Sequence, residues 1–291
     1  MLQKKVNSPI LFRLKEEKVL YSKESFEELD VMNFYMFNKL TTQPNIADKF
    51  CKCMIRNLLG REVDKIRVQA EKMEFPDNPS KRGVRLDVEV KEMKDDETVA
   101  SIYDIEPHRI TEKEYPKKNR YTLAHIDKNN LKKGDDDFSH LPDVYIVCIT
   151  NYDPFGYDRL VYTIKNRCVE VPELVYNDGV QIIYFNTTGK NGGTRELKAF
   201  LRYLEESNEK NVIDSATNEM NDYVNAIKHN GEIGGIGMTT LGQYMDRIVE
   251  DAVSEAVSAA VAEKDIQLAD KDAKIAELQE QLDKLQMQDR K

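Results

Sequence analysis

Residues 84–106 run Val84-Arg85-Leu86-Asp87-Val88-Glu89-Val90, then a charged stretch from Lys91 to Glu97, then Val99-Ala100-Ser101-Ile102-Tyr103-Asp104-Ile105-Glu106. Apolar and charged residues alternate with a period of two, which predicts a β-hairpin whose turn is the charged stretch and whose second strand ends at Pro107. Side chains two apart on a strand share a face. Asp87 therefore points with Glu89, Asp104 with Glu106, and Glu106 with His108 if the strand continues, while Val84, Leu86, Val88 and Val90 supply the core-facing side. Two adjacent strands then focus carboxylates into one cleft. Such a donor set suits Mg²⁺, which takes one or two carboxylates plus waters and phosphate oxygens. The ordinary alternative for an acidic stripe of this kind is a solvated hairpin face.

Upstream, Phe26, Leu29, Phe34, Phe37, Leu40, Ile46, Phe50, Met54, Ile55, Leu58 and Leu59 recur at helical spacing, interrupted by Thr41-Thr42-Gln43-Pro44-Asn45. Two helices are predicted, the second stopping at Gly60. Downstream, Tyr115 to Leu131 is again helical, with Pro116 near its start. Between Arg109 and Lys133 eight basic residues face three acidic ones, so this helix is strongly basic. Val144-Tyr145-Ile146-Val147-Cys148-Ile149 reads as a central strand buried on both faces. Strands at Leu160–Ile164 and Gln181–Asn186, a glycine-rich loop at 189–193 and a helix from Glu196 to Leu204 complete an α/β unit.

The chain of 291 residues carries 43 Lys and Arg against 52 Asp and Glu, a net charge of −9, which alone argues against a nucleic-acid partner. The charge is unevenly spread: residues 246–291 hold twelve acidic and seven basic residues, so more than half the excess lies in the tail. Of four cysteines only Cys51 and Cys53 are close, and their spacing is not that of a zinc knuckle. They read as free, buried thiols in a reducing compartment. Neither a signal-peptide core nor a run of 18 to 20 apolar residues is present, so the expectation is a cytoplasmic protein with no membrane segment. Gly234-Gly235-Ile236-Gly237 follows no strand and reads as a linker rather than a dinucleotide loop.

Arg85-Leu86-Asp87-Val88, then Tyr103-Asp104-Ile105-Glu106, then a basic helix with Asn119-Arg120-Tyr121, then a strand followed by Tyr152-Asp153-Pro154-Phe155-Gly156, resembles the PD-(D/E)XK nuclease family transposases, also described as recombination-promoting nucleases. Tyr35-Met36-Phe37-Asn38-Lys39 is similar to that family's entry helix and Glu196-Leu197-Lys198-Ala199-Phe200-Leu201 to its closing helix, so the resemblance covers about residues 28–230. It implies a restriction-endonuclease-like α/β core, a mixed sheet flanked by helices, and a metal-dependent DNA endonuclease acting in mobile-element or recombination biology. Asp87 and Glu106 match the family's metal-binding acids for Mg²⁺ or Mn²⁺, and His108 stands at the third catalytic position, where Lys or Gln is usual. Phe34 also departs from the family, whose entry helix often has an acid there. Lys117, Lys118 and Arg120 are the expected DNA-phosphate contacts. The alternative reading is a catalytically inactive DNA-binding or self-associating protein that keeps the fold.

The domain organisation expected is an N-terminal extension over 1–27, a nuclease-like domain over 28–206, a polar helical linker over 207–239 and a long helical tail over 240–291. In that tail Leu268, Ile275 and Leu282 are seven apart and Leu278 with Leu285 supply the alternate seam, giving a short coiled-coil pattern through which the chain would self-associate.

Overall fold

A computed structural model describes residues 28–70, 73–74, 84–108, 115–131 and 137–229. The N-terminal extension, Arg109, Lys113, Lys132, Lys133, the Gly234–Gly237 stretch and the helical tail lie outside the described residues.

Helix α1 (Phe34–Thr42) begins at Asn33, whose Oδ1 accepts from the Tyr35 amide at 2.9 Å, satisfying a donor that the first helical turn leaves open. It runs through Thr41 and Thr42 instead of breaking at them. Both hydroxyls donate back to carbonyls four residues earlier, Thr41 to Phe37 and Thr42 to Asn38. Helix α2 (Ala47–Leu59) ends where Gly60, at φ +65°, takes the left-handed cap and its amide donates to the Arg56 carbonyl. Phe37 and Phe50 meet edge to face at 5.8 Å between the two helices.

The principal sheet has six strands: β1 (Ile66–Ala70), β4 (Val88–Met93), β5 (Val99–His108), β6 (Asp143–Thr150), β7 (Val161–Ile164) and β8 (Val180–Asn186), in the order β1-β4-β5-β6-β8-β7. The pairs β5–β6 and β6–β8 are parallel and the others antiparallel. A separate two-stranded ribbon joins β2 (Met73–Glu74) to β3 (Val84–Arg85). Strand β6 takes the central place its unbroken apolar run implies, with Val144 to Ile149 all buried. Strand β5 continues through Pro107 to His108. Beyond Ile105 it no longer pairs with β4 and has one neighbour, a place where proline is admitted.

The expected single strand from Val84 to Val90 is instead two, separated by a bend at Leu86 and Asp87. The bend breaks the alternation. Leu86 packs in a cluster with Ile102, Ile126, Val144, Ile146 and Cys148, whereas Val90 stands opposite Tyr103 on the other face, where Tyr103 stacks on Tyr145 at 5.0 Å.

Helices cover both faces. Helix α3 (Tyr115–Asn130) lays Tyr115 and Ile126 on the face carrying Ile102, Val144, Ile146 and Tyr184. On the opposite face Tyr145, Ile183 and Phe185 line one pocket together with Leu58 and Leu59 at the end of α2. Helices α4 (Arg195–Glu205) and α5 (Ser215–His229) complete that layer, α5 packing on α1, α2 and α4. The stretch read as a polar helical linker does contain a helix, but one packed on the domain: Met220, Val224 and Ile227 recur at helical spacing and are buried, and Glu219 forms an ion pair with Arg56 of α2. Cys51, Cys53 and Cys148 are buried and all four cysteines are free. No helix among the described residues is long and apolar enough to cross a membrane.

Truncating Leu86 or Ile126 to Ala removes fully buried volume and should cost about 2–4 kcal/mol each in urea unfolding. Because both belong to one cluster, the double variant should deviate from additivity by at least about 0.5 kcal/mol. Strict additivity would place Leu86 on the other face.

Candidate active site

The β4–β5 register sets Glu89 directly opposite Asp104, so the even-numbered residues of β5 and the odd-numbered ones of β4 share the face under α3. Asp104, Glu106 and His108 therefore line up on β5 beside Glu89, and the bend preceding β4 keeps Asp87 near enough to act electrostatically on Asp104 and His108. This stripe is not solvated. Relative exposure is 7% for Asp87, 1% for Glu89, 0% for Asp104, 2% for Glu106 and 7% for His108.

Each buried carboxylate has a different environment. Glu106 Oε2 receives Lys118 Nζ at 2.8 Å and lies 3.1 Å from His108 Nε2. Burial pushes the Glu106 carboxyl up, but the Lys118 ammonium and the His108 ring nitrogen outweigh it and hold Glu106 below the usual carboxylate range. Glu89 Oε1 lies 3.6 Å from Lys91 Nζ, which also donates to Asn130 Oδ1 at the far end of α3. Asp104 is the exception: neither of its oxygens has a hydrogen-bond partner among the described residues. Burial, then the charges of Glu106 and Asp87, raise its carboxyl well above the ordinary value, against the pull of Lys118. Burial also lowers His108, despite the Glu106 carboxylate 3.1 Å from its Nε2, so the imidazole is neutral near pH 7.

Helix α3 is fixed over this stripe by its own buried side. Tyr115, Asn119, Thr122 and Ile126 recur at steps of three and four and are all buried. Asn119 Nδ2 donates to Tyr184 Oη at 2.9 Å and approaches Cys148 Sγ at 3.5 Å, tying the helix to β8 and β6. The Tyr115 ring sits 4.7 Å from the His108 ring. Lys117 and Arg120 lie on the exposed side of α3, while Lys118, next to Asn119, turns inward.

Of the residues singled out from sequence, Asp87, Glu106, His108 and Lys118 thus come together, and Lys117 and Arg120 remain outside on the same helix. Lys118 was expected as a phosphate contact. Its inward turn was legible in the helical spacing, because it flanks the buried stripe of α3. That Asp104 is buried without a partner left no signal in the alternation, which gives a side chain's face but not what covers it.

In kind, these oxygen donors fit a hard divalent cation, and an unpartnered buried carboxylate favours an arriving positive charge. No group of three or more His, Cys, Asp or Glu side chains among the described residues is arranged to hold a metal ion. A site here would rest on two protein carboxylates, Asp87 and Glu106, with water and phosphate oxygens completing the shell.

Comparison of the chain with protein-family models, with curated proteins and with solved structures finds no match in any of the three.

The raised Asp104 carboxyl gives a pH signature. A group more readily protonated in the folded chain adds no penalty below its unfolded pKa of about 3.9; the penalty grows as pH rises from there to the raised folded-state value and is constant above it. Measured in EDTA from about pH 4 to about pH 8, the Tm difference between Asp104→Asn and the parent should shift steadily in favour of the variant. A pH-independent difference would contradict the assignment.

Proposed function

We propose that the protein is a metal-dependent DNA endonuclease of the PD-(D/E)XK type, hydrolysing phosphodiester bonds at the carboxylates beneath the N-terminal half of α3. The observation that carries this reading is the joining of Asp87, Glu106 and His108 in a buried acidic stripe directly under a helix whose outer side presents Lys117 and Arg120. Phosphodiester hydrolysis needs negative protein groups at the reacting centre and positive ones along the strand, and this arrangement separates them across one helix. The restriction-endonuclease-like version of the α/β fold, and the link to mobile-element or recombination biology, rest on the sequence resemblance.

Asp87 and Glu106 would hold the divalent ion, which when bound polarises the phosphate and lowers the pKa of water. Glu106, kept charged by Lys118, accepts a hydrogen bond from the attacking water and orients it toward phosphorus. His108, neutral and fixed against Glu106 and Tyr115, keeps that carboxylate in one rotamer. Lys117 and Arg120 hold backbone phosphates without reading bases.

One observation favours a second reading, a catalytically inactive DNA-binding protein: His108 is buried, uncharged and turned to Glu106. It supplies no cation of its own to the developing charge on phosphorus. Incubation of supercoiled plasmid with Mg²⁺ or Mn²⁺ separates the two. The parent should nick, and Asp87→Ala and Glu106→Ala should slow nicking by at least about 100-fold. Salt-dependent binding without nicking would select the inactive module, and loss of both would sink the DNA reading. Lys117→Ala and Arg120→Ala should each reduce the slope of log affinity against log salt by about 1.

A further inference from the structure

We propose that Lys118 belongs to the carboxylate site as the positioning residue of Glu106, and is not one of the phosphate contacts of the basic helix; the role rests on the endonuclease reading. Three basic residues fall within four positions of α3, and the structure sorts them. Lys117 and Arg120 are exposed, whereas the Lys118 side chain is about one-third exposed with its ammonium 2.8 Å from Glu106 Oε2. The same ammonium lies 5.7 Å from the centre of the Tyr115 ring, which also packs against the His108 ring. Lys118, Tyr115, His108 and Glu106 form one cluster, reaching from α3 down to the end of β5.

The chemistry explains why a cation is needed there. Glu106 is buried two residues from Asp104 on the same face of β5, so an ionised carboxylate there needs a positive partner. His108 Nε2 lies 3.1 Å from the same oxygen, but an imidazole carries no permanent charge with which to offset a carboxylate. Lys118 does so from the next helix. A fixed positive group at that carboxylate costs no reorganisation as charge builds on the phosphoryl oxygens, which is how preorganised donors accelerate such steps. Its partial exposure leaves the ammonium at the border between the buried acids and the surface over which Lys117 and Arg120 stand.

The test uses the full-length protein, a fluorescent duplex and supercoiled plasmid. Lys118→Ala should lower kcat for nicking by about 100-fold with KM nearly unchanged. Its duplex affinity and salt slope, measured without divalent ion, should match the parent's. Lys118→Arg should restore part of the rate, because a guanidinium keeps the charge at altered geometry. Thermal melts of both variants exclude unfolding as the cause, and Lys118→Met serves if the alanine variant does not fold. A salt slope reduced by about 1 in Lys118→Ala, as for Lys117→Ala, would make Lys118 a phosphate contact and overturn the proposal. So would unimpaired nicking by Lys118→Ala while the parent nicks. No nicking by the parent overturns the endonuclease reading itself, and this role with it.

Discussion

Four carboxylates, Asp87, Glu89, Asp104 and Glu106, are buried on one face of two paired strands, and their charge has to be met from somewhere. Taking an ionised group out of water costs several kcal/mol even after relaxation. Much of the molecule's layout around the hairpin can be read as an answer to that cost. Lys118 reaches down from α3 to Glu106, and Lys91 lies across the strand face from Glu89 while binding Asn130 at the other end of the same helix. The helix is thus held at both ends by lysines that serve the acids beneath it. Asp104 receives neither, and burial with the neighbouring acids raises its carboxyl well above the ordinary value.

The remaining contacts of α3 make this arrangement rigid. Asn119 fastens it to Tyr184, Ile126 and Tyr115 bury it against β5, β6 and β8, and the bend at Leu86 and Asp87 adds Leu86 to the same apolar cluster. A residue that stayed in strand register at Leu86 would face α2 with Val88 and Val90. By leaving the register there, the chain places Leu86 in the α3 layer next to Asp87, whose charge reaches Asp104 and His108. On the opposite face Arg61, lying over the Tyr103 and Tyr145 rings and bonded to the Tyr145 hydroxyl, forms a polar cap unrelated to the acids. The two faces of one sheet therefore have separate tasks: packing under α1, α2, α4 and α5, and charge chemistry under α3.

Much of this was legible in the amino-acid order. The hairpin, the central strand at Val144–Ile149, the two leading helices and the basic helix all carry strong periods, and periodicity is set by local geometry that the chain cannot escape. The shared face of Asp104, Glu106 and His108 followed from a period of two, and the structure pairs them as that period requires. Three features were not legible. Nothing in the alternation marks the break at Leu86, since a bend preserves the pattern of residue types while exchanging their faces. The polar composition after residue 206 marked a helical linker but hid that its helix packs on the domain, because three buried apolar positions in α5 suffice to seat it on α1 and α2. The burial of the acidic stripe depends on a helix that begins seven residues beyond the strand.

By itself the sequence determined the α/β class, the strand and helix positions within a few residues, and which residue types could gather on one face, because these depend on contacts between near neighbours along the chain. Only the tertiary structure decided that the acids are buried, that Lys118 ends on Glu106, and that Asp104 is left without a hydrogen-bond partner among the described residues. Those outcomes depend on what packs over the hairpin. Solvation and charge are properties of that three-dimensional enclosure, so a carboxylate's role is fixed by the helix above it more than by its neighbours in sequence.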